Sequence, residues 1–110
     1  MTVNEMTRAL SWDVGVLPDP DRAIDGVYCG DLLSWVMGRA QSGNLWITIM
    51  SNINVIAVAS LADVSCVVLA EGATLPPDVL QTAEQKGINV LTSSLPIYET
   101  ALAVSRLLSP

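Results

Sequence analysis

Polar side chains that suit a small ligand occur in three short segments, each of which follows an apolar run and precedes a helical pattern. The candidate ligand-binding residues in and beside these segments are Tyr28, Asp31, Ser34, Thr48, Asn52, Asn54 and Thr92. Ligands bind at the carboxyl ends of strands in an open parallel sheet, and the free N–H groups of a following helix favour a small anion or a nucleotide. The carboxylate of Asp31 disfavours an anion and favours a ribose, an amine or a backbone donor.

A simpler interpretation of the same segments stays open. Asp31, Ser51 or Asn52, and Ser94 are residue types that cap helices, and every helix start leaves backbone N–H groups that need such partners. On this interpretation the polar residues stabilise helices and bind nothing.

The aromatic residues also allow two interpretations. Those that could contact a nucleotide base by stacking or through a hydroxyl group are Trp35, Trp46, Tyr28 and Tyr98. Aromatic side chains more often anchor a core or a subunit interface, and that use is the commoner one.

The sequence lacks the groups that most catalytic sites need. It contains no histidine, which excludes Ser/His/Asp and Cys/His arrangements and any histidine metal site. Neither glycine-rich phosphate-binding pattern occurs, and the single lysine, Lys86, ends a helical pattern. Cys29 and Cys66 are too isolated to form a metal ligand set. We therefore predict no catalytic residue, no metal and no cofactor; an enzyme that uses Asp31 or Cys29 is the least favoured alternative.

Composition indicates one domain that associates with a second copy. The chain has 110 residues, of which 51% are apolar and only 15% charged. Such a chain can bury a core, and its low charge suggests that part of the surface is covered, so we expect a homodimer. The net charge is −6 and the five basic residues are scattered, which leaves no basic patch for nucleic acid or anionic lipid.

The cysteines and the start of the chain indicate a cytoplasmic protein. Two cysteines in apolar surroundings are too few for a disulfide scaffold, so we expect both to be buried and reduced. The helix after Cys29 could instead activate that thiol. Residues 1–5 are polar and acidic, unlike a signal peptide. Residues 45–62 carry no charge, but Thr48, Asn52 and Asn54 within that stretch argue against a membrane span.

Short apolar strands alternate with helical patterns along the chain. The sequence predicts helices at 2–10, 32–40, 54–62, 77–86 and 95–108, and strands at 12–16, 24–29, 45–50, 65–70 and 88–91. Residues 54–62 also fit a strand, and the prolines at 17–21 predict a poorly ordered surface turn. Asp31 is the expected cap of the second helix, and Gly43 its expected end. This order predicts an α/β domain with a mostly parallel sheet of four to five strands covered by helices on both faces.

Part of the sequence resembles a known family. Residues 26–37, GVYCGDLLSWVM, are similar to the GGY-x-x-DLLS-x-V-M pattern of stand-alone DRTGG-domain proteins, and the similarity continues through LWIT at 45–48 and NVIAVA at 54–59. It extends to Tyr98 and Glu99, so residues 1–110 are expected to form one such domain. Two departures are that Asn52 stands where histidine is common in the family, and that the string DRTGG itself is absent.

The resemblance implies an accessory role. Similar domains occur at the N-terminus of HPr kinase/phosphorylase, in some phosphotransacetylases and between the CBS domains of regulatory pyrophosphatases, where they contact other subunits. A kinase activity transferred from the first of these would need a separate phosphate-binding domain. We therefore expect a non-catalytic regulatory or interaction module that senses a small nucleotide-like metabolite at the strand ends. The alternative is a structural subunit that docks on a larger enzyme without a ligand.

Overall fold

Strands and helices alternate along the chain in the order that the sequence predicts. The computed structural model describes residues 1–109. In chain order its elements are α1 (Val3–Leu10), β1 (Asp13–Val16), β2 (Val27–Cys29), α2 (Leu33–Arg39), β3 (Leu45–Thr48), α3 (Asn54–Ala62), β4 (Cys66–Leu69), α4 (Pro77–Gln85), β5 (Val90–Thr92) and α5 (Ile97–Leu108). The ambiguous segment at 54–62 is therefore a helix.

The five strands form one sheet in the order β1-β5-β4-β3-β2. Strands β2 to β5 are parallel to their neighbours, and β1 runs antiparallel to β5 at one edge. Every residue of β3 and β4 is buried, which explains why these strands are apolar without alternation: both of their faces are covered. The predicted mostly parallel α/β sheet is confirmed.

Each face of the sheet has its own apolar core. On one face Trp46, Val67 and Leu69 pack with residues of α2, α3 and α4, and on the other Ile47 and Val68 pack with residues of α1 and α5. Strands β2 to β5 follow one another across the sheet in a single direction. Right-handed crossovers then place all three connecting helices on the same face. The helix after β5 crosses to the opposite face.

The loop at 17–22, whose residues 17–21 we expected to form a poorly ordered turn, is bound to the sheet. The carboxamide of the buried Asn89 accepts a hydrogen bond from the Asp19 N–H (2.9 Å) and donates to the Asp19 carbonyl (2.8 Å). It also donates to the Ser65 carbonyl (3.0 Å). The Asn89 side chain therefore fixes the backbone of this loop with hydrogen bonds of the kind that secondary structure supplies elsewhere.

A small charged cluster joins this loop to the end of α3. Arg22 forms an ion pair with Asp63 (3.2 Å), and the Ser42 hydroxyl donates to the same carboxylate. The hydrogen bond from Ser42 and then the one from Arg22 hold the pKa of Asp63 below its usual value. Asp63 itself has a left-handed backbone (φ 56°) and ends α3.

The two residues predicted to bound α2, Asp31 and Gly43, do not do so. The helix ends at Arg39 and not at Gly43; Gly43, with φ of 85°, forms a separate turn whose carbonyl accepts from the Asp25 N–H (2.9 Å). At the other end Leu32 occupies the cap position without a side-chain hydrogen bond, because Asp31 bonds elsewhere. In residues 1–109 no helix is long and apolar enough to cross a membrane.

Candidate functional site

The first polar turn joins the carboxyl ends of β2 and β3. One carboxylate oxygen of Asp31 accepts hydrogen bonds from the Thr48 hydroxyl (2.7 Å) and from the Ile49 N–H (2.9 Å). Thr48 is fully buried, and its hydroxyl oxygen also accepts from the Met50 N–H (3.2 Å). Asp31 therefore fixes the turn after β3 and does not cap α2, which corrects the capping interpretation for this residue.

The second polar turn lies on the surface in front of α3. Asn52 and Asn54 are both exposed, and the side-chain oxygen of Asn52 accepts from the Asn54 N–H (2.9 Å). Ile53 holds the cap position and makes no side-chain hydrogen bond. Asn52 thus satisfies one free N–H at the helix start, as a capping residue does, from the position before the cap.

The third turn lies apart from the other two. Thr92 is the last residue of β5 and is level with Thr48, but Leu69 of β4 stands between them, which separates the two threonines by roughly 10 Å. Thr92 borders a small groove of about 110 Å³ between β1, β5 and α5. Ser94 does not cap α5; the Ser93 hydroxyl accepts from the Leu95 N–H (3.2 Å) instead.

The crevice where ligands bind in many parallel sheets is closed in this fold. Such crevices form where neighbouring strands send their helices to opposite faces. Among the parallel strands described, this happens between β4 and β5. There the N–H groups of Glu71 and Gly72 donate to the carbonyls of Leu95 and Ser93, each at 2.8 Å. The backbone fills the position that a ligand would need.

An open cleft of about 440 Å³ lies instead beside the edge strand β2. Its lining residues are Tyr28, Cys29, Gly30, Asp31, Leu32, Trp35 and Arg39. The guanidinium carbon of Arg39 lies 3.8 Å from the centre of the Trp35 ring, in a cation–π contact between residues one helical turn apart. Trp35 remains half exposed, so part of its ring is open to solvent.

The family of the chain follows from its sequence. The family model of the DRTGG domain matches residues 21–107. The chain belongs to the DRTGG-domain family. A comparison with curated proteins found no match.

The fold is similar to that of a solved structure that also contains a DRTGG domain. That structure contains the CBS and DRTGG domains of the regulatory region of Clostridium perfringens pyrophosphatase, complexed with the activator diadenosine tetraphosphate. The TM-score is 0.74 at 14% sequence identity, and the match covers 94% of this chain and 45% of that chain. The present domain thus spans less than half of the structure that it matches.

The seven predicted ligand-binding residues do not converge in this DRTGG domain. Only Tyr28 and Asp31 line the cleft, next to Trp35. The other five line no part of it: Thr48 is buried behind Asp31, Thr92 borders the other groove, and three residues are exposed, namely Ser34, Asn52 and Asn54. Two residues that line the cleft, Leu32 and Arg39, were not predicted from the sequence. The spacing of four between Trp35 and Arg39 was the signal that could have indicated Arg39.

The remaining aromatic candidates are far from equivalent. Trp46 is fully buried, and its indole N–H donates to the Gly30 carbonyl (2.9 Å), so it supports the cleft from inside the core. Tyr98 is largely exposed at the start of α5 and does not line the cleft. Of the two tryptophans considered for stacking, Trp35 alone presents its ring to solvent at this cleft.

The surroundings of both cysteines favour the neutral thiol. Cys29 is exposed, which corrects the expectation of two buried thiols. Partial desolvation, followed by the nearby charge of Asp31, raises the pKa of Cys29, so the helix end does not activate it. Burial raises the pKa of Cys66 to about 12. Within residues 1–109 no three Cys, Asp or Glu side chains are grouped as metal ligands.

Proposed function

We propose that this DRTGG domain is a non-catalytic regulatory module that binds a small nucleotide-like metabolite in the cleft beside β2. The observation that carries the proposal is the Trp35–Arg39 pair on the wall of that cleft. A half-exposed indole offers a stacking surface for a base, and Arg39 supplies a positive charge for an anionic group. The presence of a DRTGG domain in a nucleotide-activated regulatory region supports this choice of ligand class.

The charges around the cleft favour a ligand of low negative charge. Arg39 is the one basic residue among those that line it, and Asp31 contributes a carboxylate. A long polyphosphate would meet too little positive charge there, whereas a nucleoside or nucleoside monophosphate needs one cation and an acceptor for ribose hydroxyls. Tyr28 and Asp31 are then the direct contacts from the predicted set. Thr48 acts through Asp31, which it holds in place.

A titration with defined nucleotides tests this proposal. Adenosine, AMP, ATP and diadenosine tetraphosphate are each added to the full chain, and binding is measured by calorimetry and thermal shift. We expect AMP to bind, and we expect Trp35→Leu and Arg39→Gln each to weaken binding about tenfold or more. Arg106→Gln, an arginine in the last turn of α5, is the matched control. Unchanged AMP binding in both cleft variants would rule out this site.

We also propose that the module is a homodimer in the cytoplasm. The support for the dimer is the number of large apolar side chains left exposed, among them Leu32, Trp35 and Ile53. The support for the compartment is the sequence, in which two cysteines, Cys29 and Cys66, are too few for the disulfide framework of a small secreted domain.

The same exposed apolar side chains favour a second candidate function, a structural subunit that docks on a larger enzyme without a ligand. Native mass spectrometry of gently purified protein separates the two candidates. A dimer with a reproducible extra mass of a few hundred daltons favours the sensing module. A dimer without added mass, which also fails to bind any nucleotide of the titration, favours the docking subunit.

A further inference from the structure

The outer edge of the sheet at β2 is open. The Gly26 carbonyl and the Gly30 N–H both pair with β3. Alternation along the strand therefore leaves the N–H and C=O groups of Val27 and Cys29 directed away from the sheet. Short length, charged residues, prolines and bulges are the usual protection of such an edge; β2 is short, with three residues, but residues 27–29 contain no charge, proline or bulge. The opposite edge, β1, is protected by a bulge between Val14 and Val16.

Large apolar side chains surround this open edge. The group, which we call the α2 patch, consists of Leu32, Trp35, Ile49 and Ile53, each between 42% and 56% exposed. Leu32 and Trp35 line the cleft next to β2. Ile49 belongs to the turn that Asp31 holds against the start of α2, and Ile53 precedes α3, which packs beside α2. Leu32 and Trp35 thus bring the patch to the strand edge, and Ile49 and Ile53 extend it along the end of the sheet where β3 leads into α3.

The area of the α2 patch fits a subunit interface. If a large apolar side chain has about 200 Å² of surface, four such residues at half exposure present roughly 400 Å². A standard interface buries about 800 Å² per partner, of which somewhat more than half is apolar. The patch thus supplies nearly the whole apolar part of such an interface.

The two charges beside the patch have opposite signs and lie at opposite ends of α2. Asp31 lies two residues before the first residue of α2, and Arg39 is the last residue of that helix. A two-fold axis at the β2 edge would set two copies of β2 antiparallel, and hence two copies of α2 antiparallel as well. The Asp31 end of each α2 then lies beside the Arg39 end of the partner's α2, so like charges stay apart and both side chains remain on the cleft for the ligand. A second copy of this chain therefore matches the patch in charge as well as in area.

We propose that two copies of the chain associate through the β2 edge and the α2 patch, so that the two sheets join into one of ten strands. This inference rests on the homodimer of the proposed function and names its face. The cleft then lies beside the two-fold axis. The partner's α2 forms its second wall, so the ligand site is completed only in the dimer.

Sedimentation equilibrium of the full chain and two charge-introducing variants tests the face. Trp35→Glu places a charge in the centre of the patch, and we expect it to raise the dimer dissociation constant at least about 30-fold, the loss typical of an interface hot spot. Leu61→Glu is the matched control, because Leu61 is 73% exposed at the end of α3, outside the patch. Its dissociation constant should equal that of the wild type.

Each other outcome contradicts a stated part of the proposal. A monomeric wild type at all concentrations overturns the homodimer and the face together. A dimer that persists in Trp35→Glu, or that Leu61→Glu weakens equally, overturns the face alone. Circular dichroism verifies that each variant is folded, and Leu32→Glu replaces Trp35→Glu if that variant unfolds. Trp35→Leu keeps the patch apolar, so it should lose AMP binding while it remains dimeric, which separates a failure of the ligand site from a failure of the interface.

Discussion

The hydrogen bonds of Thr48 provide the sharpest test of how the β2–β3 end is built. Thr48→Val changes the hydroxyl to a methyl group of nearly the same size, and valine suits a buried strand. The substitution removes the 2.7 Å bond to the Asp31 carboxylate and leaves the Met50 N–H without the acceptor that it has at 3.2 Å. Because Thr48 is fully buried, water cannot enter in place of the hydroxyl without a rearrangement of the turn.

The expected loss of stability follows from these two bonds. A hydrogen bond to a charged group contributes about 1.5–3 kcal/mol, and one between neutral groups about 0.5–1.5 kcal/mol. Asp31 and Met50 are both partly exposed, so water compensates part of each loss, and we expect a decrease of about 2–3 kcal/mol in the free energy of unfolding. For a domain of this size that corresponds to a drop in Tm of roughly 8–15 °C.

Urea denaturation and thermal melts of the ligand-free protein measure the effect. Thr82→Val is the matched control: its hydroxyl donates to the Asp78 carbonyl one turn earlier on an exposed helix, so the same substitution should change stability by less than about 0.5 kcal/mol. Asp31→Asn keeps an acceptor and should cost about 1 kcal/mol. A Thr48→Val protein as stable as Thr82→Val would contradict the assigned hydrogen bonds. Effects of Thr48→Val and Asp31→Asn that add without coupling in the double variant would contradict them as well.

Three further predictions concern stability. Gly43→Ala should lower the free energy of unfolding by about 1–2 kcal/mol in urea denaturation because φ is 85° there, whereas Gly38→Ala, in α2 with open space around it, should raise it by about 0.5–1 kcal/mol; equal effects would contradict the assigned backbone. Hydrogen bonding, first by Ser42, lowers the pKa of Asp63. The stabilisation that the ionised Asp63 contributes is therefore present at neutral pH and is lost as the pH falls below 4. Between pH 6 and pH 3 the free energy of unfolding should decrease less in Asp63→Asn than in the wild type. Burial raises the pKa of Cys66 to about 12, so the stabilisation from this neutral thiol is complete below pH 9 and decreases above it. Denaturation at pH 8 and at pH 10.5 should therefore show a smaller decrease in the free energy of unfolding for Cys66→Ala than for the wild type.

The sequence was sufficient for the fold because each strand and helix carries its own signal. The uninterrupted apolar runs at 45–48 and 66–69 indicate strands covered on both faces, and such strands require helices between them. The DLLS segment and the blocks that follow it identified the DRTGG family, and the match over residues 21–107 confirms this. The exact ends of α2 were not predictable, since the Asp31 side chain and the Gly43 carbonyl bond outside that helix.

The candidate site depended on contacts between residues distant in sequence. Asp31 and Thr48 are each ordinary polar residues beside a helix or strand; the parallel pairing of β2 with β3 brings them within 2.7 Å. The same strand order closes the crevice between β4 and β5 and opens the cleft at β2 instead. Local sequence patterns determined which elements form, because helix and strand periodicity depend on near neighbours. The tertiary structure alone decided which polar residues meet and which apolar ones stay exposed, because both depend on how the strands are ordered in space.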